Sequence, residues 1–168
     1  MNIYRSVFPT AFGWCGLVAG EKELKRFILP LHSKELVISI ISFPTHERSN
    51  LLIEAQKMVK NYFKGKKVAF DLPLDRSGFS SFQAQVYALT KMIPYGEVKT
   101  YGKIALGIGK PKASRAVGAA LSQNPLPLFI PCHRVIRKDG GLGGFSCPDG
   151  VRMKTTLLTL EGVYKGRR

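Results

Sequence analysis

The chain has 168 residues, 45% of them hydrophobic, which is enough for one ordinary packed domain or for one domain with a small appendage and argues against wholesale disorder. Its 26 Lys+Arg outweigh 11 Asp+Glu, leaving a formal net charge of +15, so the expected partner is a polyanion, nucleic acid first and an acidic membrane surface second. No apolar stretch reaches the ~18 residues that span a bilayer, and three widely spaced cysteines (Cys15, Cys132, Cys147) form neither a disulfide framework nor a C-x-x-C zinc pattern.

The first twenty residues are apolar, but only Arg5 is basic, and Pro9, Trp14 and Cys15 interrupt the run, so they do not read as a targeting signal. A cytoplasmic, soluble protein with three free thiols is expected. "NIYRSVF", "GWCGLVAG" and "ELKRFILP" read as three strands of a meander, with a turn around Gly20-Glu21-Lys22. From Asn50 the period changes: Leu51, Leu52, Ala55, Met58, Val59 and Tyr62 recur at helical spacing, with Gly65 as the stop. "DLPLDRSG" (71–78) reads as a linker, dividing an N-terminal sheet-and-helix domain (1–75) from a second domain (76–168).

The second part opens with a helix capped by Ser80 or Ser81, with Phe82, Val86 and Leu89 on one face and Pro94 as its end. "PYGE" is a turn, Thr100 caps a short helix over 101–106, and "GIGKP" breaks the chain. Pro111 suits the first turn of a second helix, about 112–123, so that the two form a helix-turn-helix pattern. After "FIPCHRVI" and a glycine-rich loop comes a last amphipathic helix with Val151, Lys154, Leu157, Leu158 and Glu161 on its face. The tail "YKGRR" reads as frayed. The expected fold class is α/β of the α+β kind, a small sheet and helix domain followed by a mainly helical one.

The helix "KPKASRAVGAALSQN" carries small residues almost throughout. Val117 and Leu121 can face a core, which leaves Arg115 as the one long arm on a bare surface flanked by Lys110 and Lys112. Helices that read bases carry several long polar side chains. A bare face suits either close packing inside the protein or close approach to DNA with one side chain entering the base stack.

Cys132 and His133 leave a similar choice. A free cysteine is commonly a small buried hydrophobe, but a histidine beside it can take its proton and make a thiolate nucleophile. Neighbours on a regular strand point to opposite faces, so the pair can cooperate only where the strand ends, and Pro131 suits such a break. A carboxylate on the other imidazole nitrogen would fix the tautomer. Among Glu97, Asp139, Asp149 and Glu161, the last is best placed to turn inward. No further Cys/His pair stands at ligand spacing, so no metal is expected.

The stretch "NPLPLFIPCHRVI" (124–136) resembles the active-site signature of the O6-alkylguanine-DNA alkyltransferases, the methylated-DNA–protein-cysteine methyltransferases. "FQAQVY" and "IPYGEVKTYGKIA" resemble the family's helix and turn ahead of the helix-turn-helix. "KASRAVGAAL" resembles its DNA-binding helix, and "GGLGGFS" and "KTTLLTLEG" its loop and closing helix. The resemblance covers about 79–162, and the N-terminal portion shares only the architecture.

This resemblance implies stoichiometric, single-turnover repair of O6-alkylguanine, and of O4-alkylthymine, flipped out of double-stranded DNA. Cys132 would be the acceptor, His133 the base, Glu161 its orienter, and Asn124 a bridge to backbone near the nucleophile. Tyr101 would crowd the DNA backbone and donate a hydrogen bond to the departing base. Arg115 would fill the gap in the stack, with Ser114 and Lys112 also on DNA, and Val135, Phe145, Ser146 and Cys147 would line the base pocket. A monomer without cofactor, metal or membrane partner is implied. Phe145 stands where the family often has tyrosine, and Cys147-Pro148 where it has small residues. The competing readings are a lesion-binding relative that lacks the chemistry, a helix-turn-helix regulator with a structural cysteine, and a cysteine hydrolase.

Overall fold

The computed structural model describes residues 2–42 and 49–165. By internal contact the chain forms two compact units, one of Met1–Asp75 with Pro125–Pro127, the other of Arg76–Asn124 with Leu128–Arg168.

In the first unit, strands β1 (Tyr4–Thr10), β2 (Gly13–Ala19) and β3 (Leu24–Leu31) form an antiparallel sheet in the order β1-β2-β3. Pro9, which has no N–H for a ladder, lies in edge strand β1. Residues Cys15 to Ala19 of the middle strand are buried without alternation, because both faces are covered. On one face Val18 packs with Val37 and Ile41 of helix α1 (Lys34–Ile40) and its cap. On the other, Ser6 Oγ donates to Gln56 Oε1 of helix α2 (Asn50–Phe63) at 2.6 Å. Gly16 is required here: a Cβ on it would come within 2.7 Å of Val37 Cγ1.

The periodicity places α2 well, and Gly65 with φ +79° follows its C-cap. Helix α1 lies in a stretch for which the sequence suggested no element. Its Val37, Ile38, Ile40 and Ile41 favour strands intrinsically, while the cap from Ser33 Oγ to the Leu36 amide and the apolar face of the sheet select a helix. The stretch 71–78 is a linker only in its second half. Leu72 and Leu74 are buried, Leu24 and Leu74 form a parallel bridge, and Lys25 pairs with Asp75, so 71–75 continues the first unit. Within that unit the Phe27 amide also donates to the Pro125 carbonyl at 2.9 Å, and Leu126 is fully buried. The chain therefore leaves the second unit at Asn124 and re-enters it at Leu128, which has φ +70°.

The second unit is mainly helical. Helix α3 (Ser81–Lys91) starts with a reciprocal capping box between Ser80 and Gln83, a device worth about 1 kcal/mol. It buries Val86, Tyr87 and Thr90, while Phe82 and Leu89 are only half-buried. Strand β4 (Lys99–Thr100) runs straight into helix α4 (Tyr101–Gly107), capped by Thr100, and a turn then leads to helix α5 (Ser114–Ser122). Pro111 is not in the first turn of α5. It sits with exposed Lys112 in the preceding turn, closed by the Ala113 amide on the Lys110 carbonyl.

Cys132 to Arg134 form one turn of 3-10 helix rather than the end of a strand. The strand, β5 (Val135–Ile136), comes after them and pairs in parallel with β4. Helix α6 (Gly150–Leu160) closes the unit with Glu161 as its C-cap. Val151, expected on its inner face, is exposed, and Met153 is buried with Lys154, Leu157 and Leu158. Of the tail, 166–168 lie outside the described residues. Among the described residues no helix is long and apolar enough to cross a membrane.

Candidate active site

The 3-10 turn solves the geometry of neighbouring residues in its own way. Its tight winding turns Cys132 toward a cavity of about 340 Å³ and leaves His133 fully buried beside Glu161. The cavity is lined by Cys132, by Tyr101 of α4, by Ser114, Gly118 and Ser122 of α5, and by Phe145 and Ser146 of the glycine-rich loop.

His133 Nε2 lies 2.6 Å from Glu161 Oε1. Burial alone would raise the carboxyl of Glu161, but hydrogen bonds from His133 and Arg134 outweigh it and hold it down at about 2, so Glu161 is ionised. An ionised acceptor places the proton of neutral His133 on Nε2 and the lone pair on Nδ1. Burial, followed by the pull of Glu161 in the opposite sense, leaves the imidazole below its ordinary value, so it is neutral near pH 7.

Cys132 is 8% exposed. Burial pushes its thiol up to about 11, against the hydrogen bond from Asn124 and the charge of Lys154. The resting sulfur is thus a thiol that needs a base at the moment of reaction. Asn124 Nδ2 also donates to the Ile130 carbonyl at 2.8 Å, tying the two sides of the segment ahead of Cys132. Tyr101, the first residue of α4, lies under the α5 backbone, where a Cβ on Gly118 would be 3.8 Å from its ring.

Helix α5 buries Val117, Ala120 and Leu121 and exposes Arg115, Ala116, Ala119 and Ser122. Its solvent face is therefore nearly bare apart from one arginine. Lys110 is engaged elsewhere, its Nζ lying 5.2 Å from the Phe82 ring centroid.

The cavity brings together Cys132, Tyr101, Ser114, Phe145 and Ser146, while His133 and Glu161 pair next to Cys132 in the chain and Asn124 bonds the backbone ahead of it, none of the three lining the cavity. Val135 is not a lining residue. Its side chain is fully buried and its carbonyl accepts from Lys154 Nζ at 2.6 Å. Cys147 is half-buried outside the lining set, its Sγ 3.8 Å from the Gly150 carbonyl, and all three cysteines are free thiols.

Two charged residues were missed. Lys154 is fully buried, 3.4 Å from the Tyr101 hydroxyl and 6.0 Å from the Phe145 ring centroid, and burial brings its ammonium down to about 8. A lysine on an otherwise apolar helix face was its signal. Arg134 is buried and bidentate on Glu161, through Nε at 2.8 Å and Nη2 at 3.0 Å. Its position next to His133 carried no charge signal of its own.

Residues 81–163 match the family described as 6-O-methylguanine DNA methyltransferase, DNA binding domain. The methylated-DNA–protein-cysteine methyltransferase of Methanosarcina acetivorans is 39% identical over 95% of this chain and 99% of its own. The constitutive one of Bacillus subtilis is 42% identical over 98% and 99%. The crystal structure of Mycobacterium tuberculosis OGT in complex with DNA superposes with a TM-score of 0.78 at 32% identity, covering 94% of this chain and 92% of that one. The chain belongs to the methylated-DNA–protein-cysteine methyltransferase family.

Proposed function

We propose that this chain repairs DNA by direct reversal, moving the alkyl group of an O6-alkylated guanine onto its own Cys132. The observation that carries this reading is the placement of Cys132. It lines a cavity walled by the bare helix α5, and the next residue is a neutral, carboxylate-held histidine. The target atom of such a base is inside a duplex, so the nucleotide must rotate out, at about a few kcal/mol. The small side chains of α5 allow close approach, Arg115 fills the vacated place in the stack, and the surplus of positive charge supplies sequence-independent phosphate attraction.

In the reaction the Cys132 thiol gives its proton to His133 Nδ1, directly or through one water. The sulfur then attacks the alkyl carbon, the carbon–O6 bond breaks, and its electron pair leaves with the guanine. Tyr101 donates a hydrogen bond to the departing base. Lys154 at 3.4 Å supports that hydroxyl, and Asn124 holds the backbone beside the sulfur. Phe145 and Ser146 face the base. The product is a thioether, which has no hydrolytic exit, so each molecule acts once.

Residues 76–168 carry the DNA-binding and transfer steps, which the match over 81–163 supports, and residues 1–75 serve as structural support. The site of action is DNA in the cytoplasm. The test is to incubate the protein with duplex DNA containing O6-methylguanine and to follow with intact mass and a peptide map. One added methyl on Cys132 at one-to-one stoichiometry is expected. Multiple turnovers, or intact binding without mass change, would overturn the reading.

A further inference from the structure

The carboxylate of Glu161 is filled from every side. Oε1 accepts from His133 Nε2 at 2.6 Å and from Arg134 Nη2 at 3.0 Å, and Oε2 accepts from Arg134 Nε at 2.8 Å and from the Gly96 amide at 3.2 Å. Arg134 is itself fixed: Nη1 donates to the Ile93 carbonyl at 2.7 Å, and the guanidinium lies 5.8 Å from the Tyr95 ring centroid. Three charged or chargeable groups thus share one buried site: His133, Arg134 and Glu161 are all buried.

The charge count of that site matters to the chemistry. A buried carboxylate paired with an imidazole alone draws a second proton onto the ring, because an ion pair of zero net charge is easier to bury than a lone anion. A ring protonated at both nitrogens has no lone pair and cannot accept the proton of a thiol. With a guanidinium already on the carboxylate, the site is neutral when the ring is neutral. A second proton on the ring would leave an uncompensated buried cation.

We propose that Arg134 is a positioning residue for alkyl transfer: by occupying the carboxylate of Glu161, it keeps His133 singly protonated, with Nε2–H on Glu161 and the Nδ1 lone pair kept for the proton of Cys132. The proposal rests on the reading of His133 as the base. Among the described residues the ionisable groups about the ring are Glu161 and Lys154 from α6 and its cap, Arg134 and Cys132 from its own turn, and Tyr95 behind Glu161 and Arg134. Burial, Arg134 and Lys154 all act against ring protonation, and Glu161 acts for it. Of the two cations only Arg134 binds the carboxylate, because Lys154 is directed to the Val135 carbonyl. Arg134 is therefore the group that cancels Glu161.

Two measurements test this. The first is an NMR titration of the His133 ring in the unreacted wild-type protein. The second is the single-turnover rate of methyl transfer from duplex DNA, from about pH 5 to about pH 8, for wild type, Arg134→Met and Arg134→Lys. His133 is expected to stay neutral well below the ordinary histidine value of about 6.5. The Arg134→Met change is expected to move the acid limb of the rate profile upward by at least about one pH unit, so that its defect shrinks as the pH rises. The Arg134→Lys change keeps the charge and should move that limb less. A wild-type ring that titrates at or above the ordinary value, or an Arg134→Met loss that is equal at every pH, overturns the proposal. Should Arg134→Met fail to fold, the wild-type titration and Arg134→Lys decide it. Should wild type transfer no methyl at all, the alkyl-transfer reading fails instead, and the ring titration still judges Arg134.

Discussion

Gly143 backs directly onto Tyr101: a Cβ at Gly143 would fall 2.8 Å from the tyrosine hydroxyl and 3.2 Å from its ring. Gly143 also has φ +73°, which disfavours any side chain. Gly143→Ala should therefore cost about 1–2 kcal/mol of stability and slow transfer, because the hydroxyl proposed to donate to the base must move. In a Tyr101→Phe background the same change should cost less, since the closest clash is gone. Denaturant unfolding and single-turnover rates on all four proteins give the cycle, and strictly additive effects would refute the coupling.

Arg115 is the one long side chain on the exposed face of α5. Arg115→Ala should slow repair of duplex DNA severely while leaving the reaction with a free guanine-type substrate nearly unchanged, because only the duplex has a gap to fill. Equal losses on both substrates would reject its place in the stack.

Lys154 is a buried cation, which is costly, and its ammonium sits near 8. Lys154→Met should change stability by less than about 1 kcal/mol, because relief of desolvation offsets the lost bond to the Val135 carbonyl. The transfer rate should nonetheless fall, since the Tyr101 hydroxyl loses its charged neighbour. A large loss of stability with an unchanged rate in the folded fraction would show that the lysine is only structural.

The acid stability of the fold follows from the same buried site. Glu161 is held at about 2 in the folded chain against an unfolded value of 4.5, and His133 lies below 6.5. Between their folded and unfolded values these two groups bind more protons in the unfolded chain, so their joint contribution to stability is full above about 6.5 and declines as the pH falls. The decline should steepen below about 4.5, with Glu161 contributing on the order of 3 kcal/mol by pH 2. Urea midpoints at descending pH will show it, and Glu161→Gln should flatten the lower part. A midpoint constant from pH 7 to pH 4 would rule the account out.

Local signals were legible where one residue type decides one conformation. Ser80, Thr100 and Gly65 mark their helix ends through caps and positive φ, and the repeat from Leu51 to Tyr62 marks α2. The misreadings fall where distant groups outvote local preference. The β-branched run of α1 is helical because the sheet offers it an apolar face at Gly16. Leu72 and Leu74 leave the supposed linker because β3 has a free edge beside Leu24. Val151 faces water because the inner stripe of α6 runs through Met153 instead.

The sequence by itself determined the Pro-Cys-His-Arg-Val segment 131–135, the small-residue helix with its one long arm Arg115 and the positive charge, since each depends only on residue type and order, while the reading of Cys132 as reactive was implied by the family resemblance. The tertiary structure decided which charges meet out of water. Glu161 reaches His133 across 28 residues, Arg134 turns back onto the same carboxylate, and Lys154 is sealed beneath Tyr101. Proton affinities depend on burial and on neighbours within a few ångströms, and a linear chain specifies neither until it has folded.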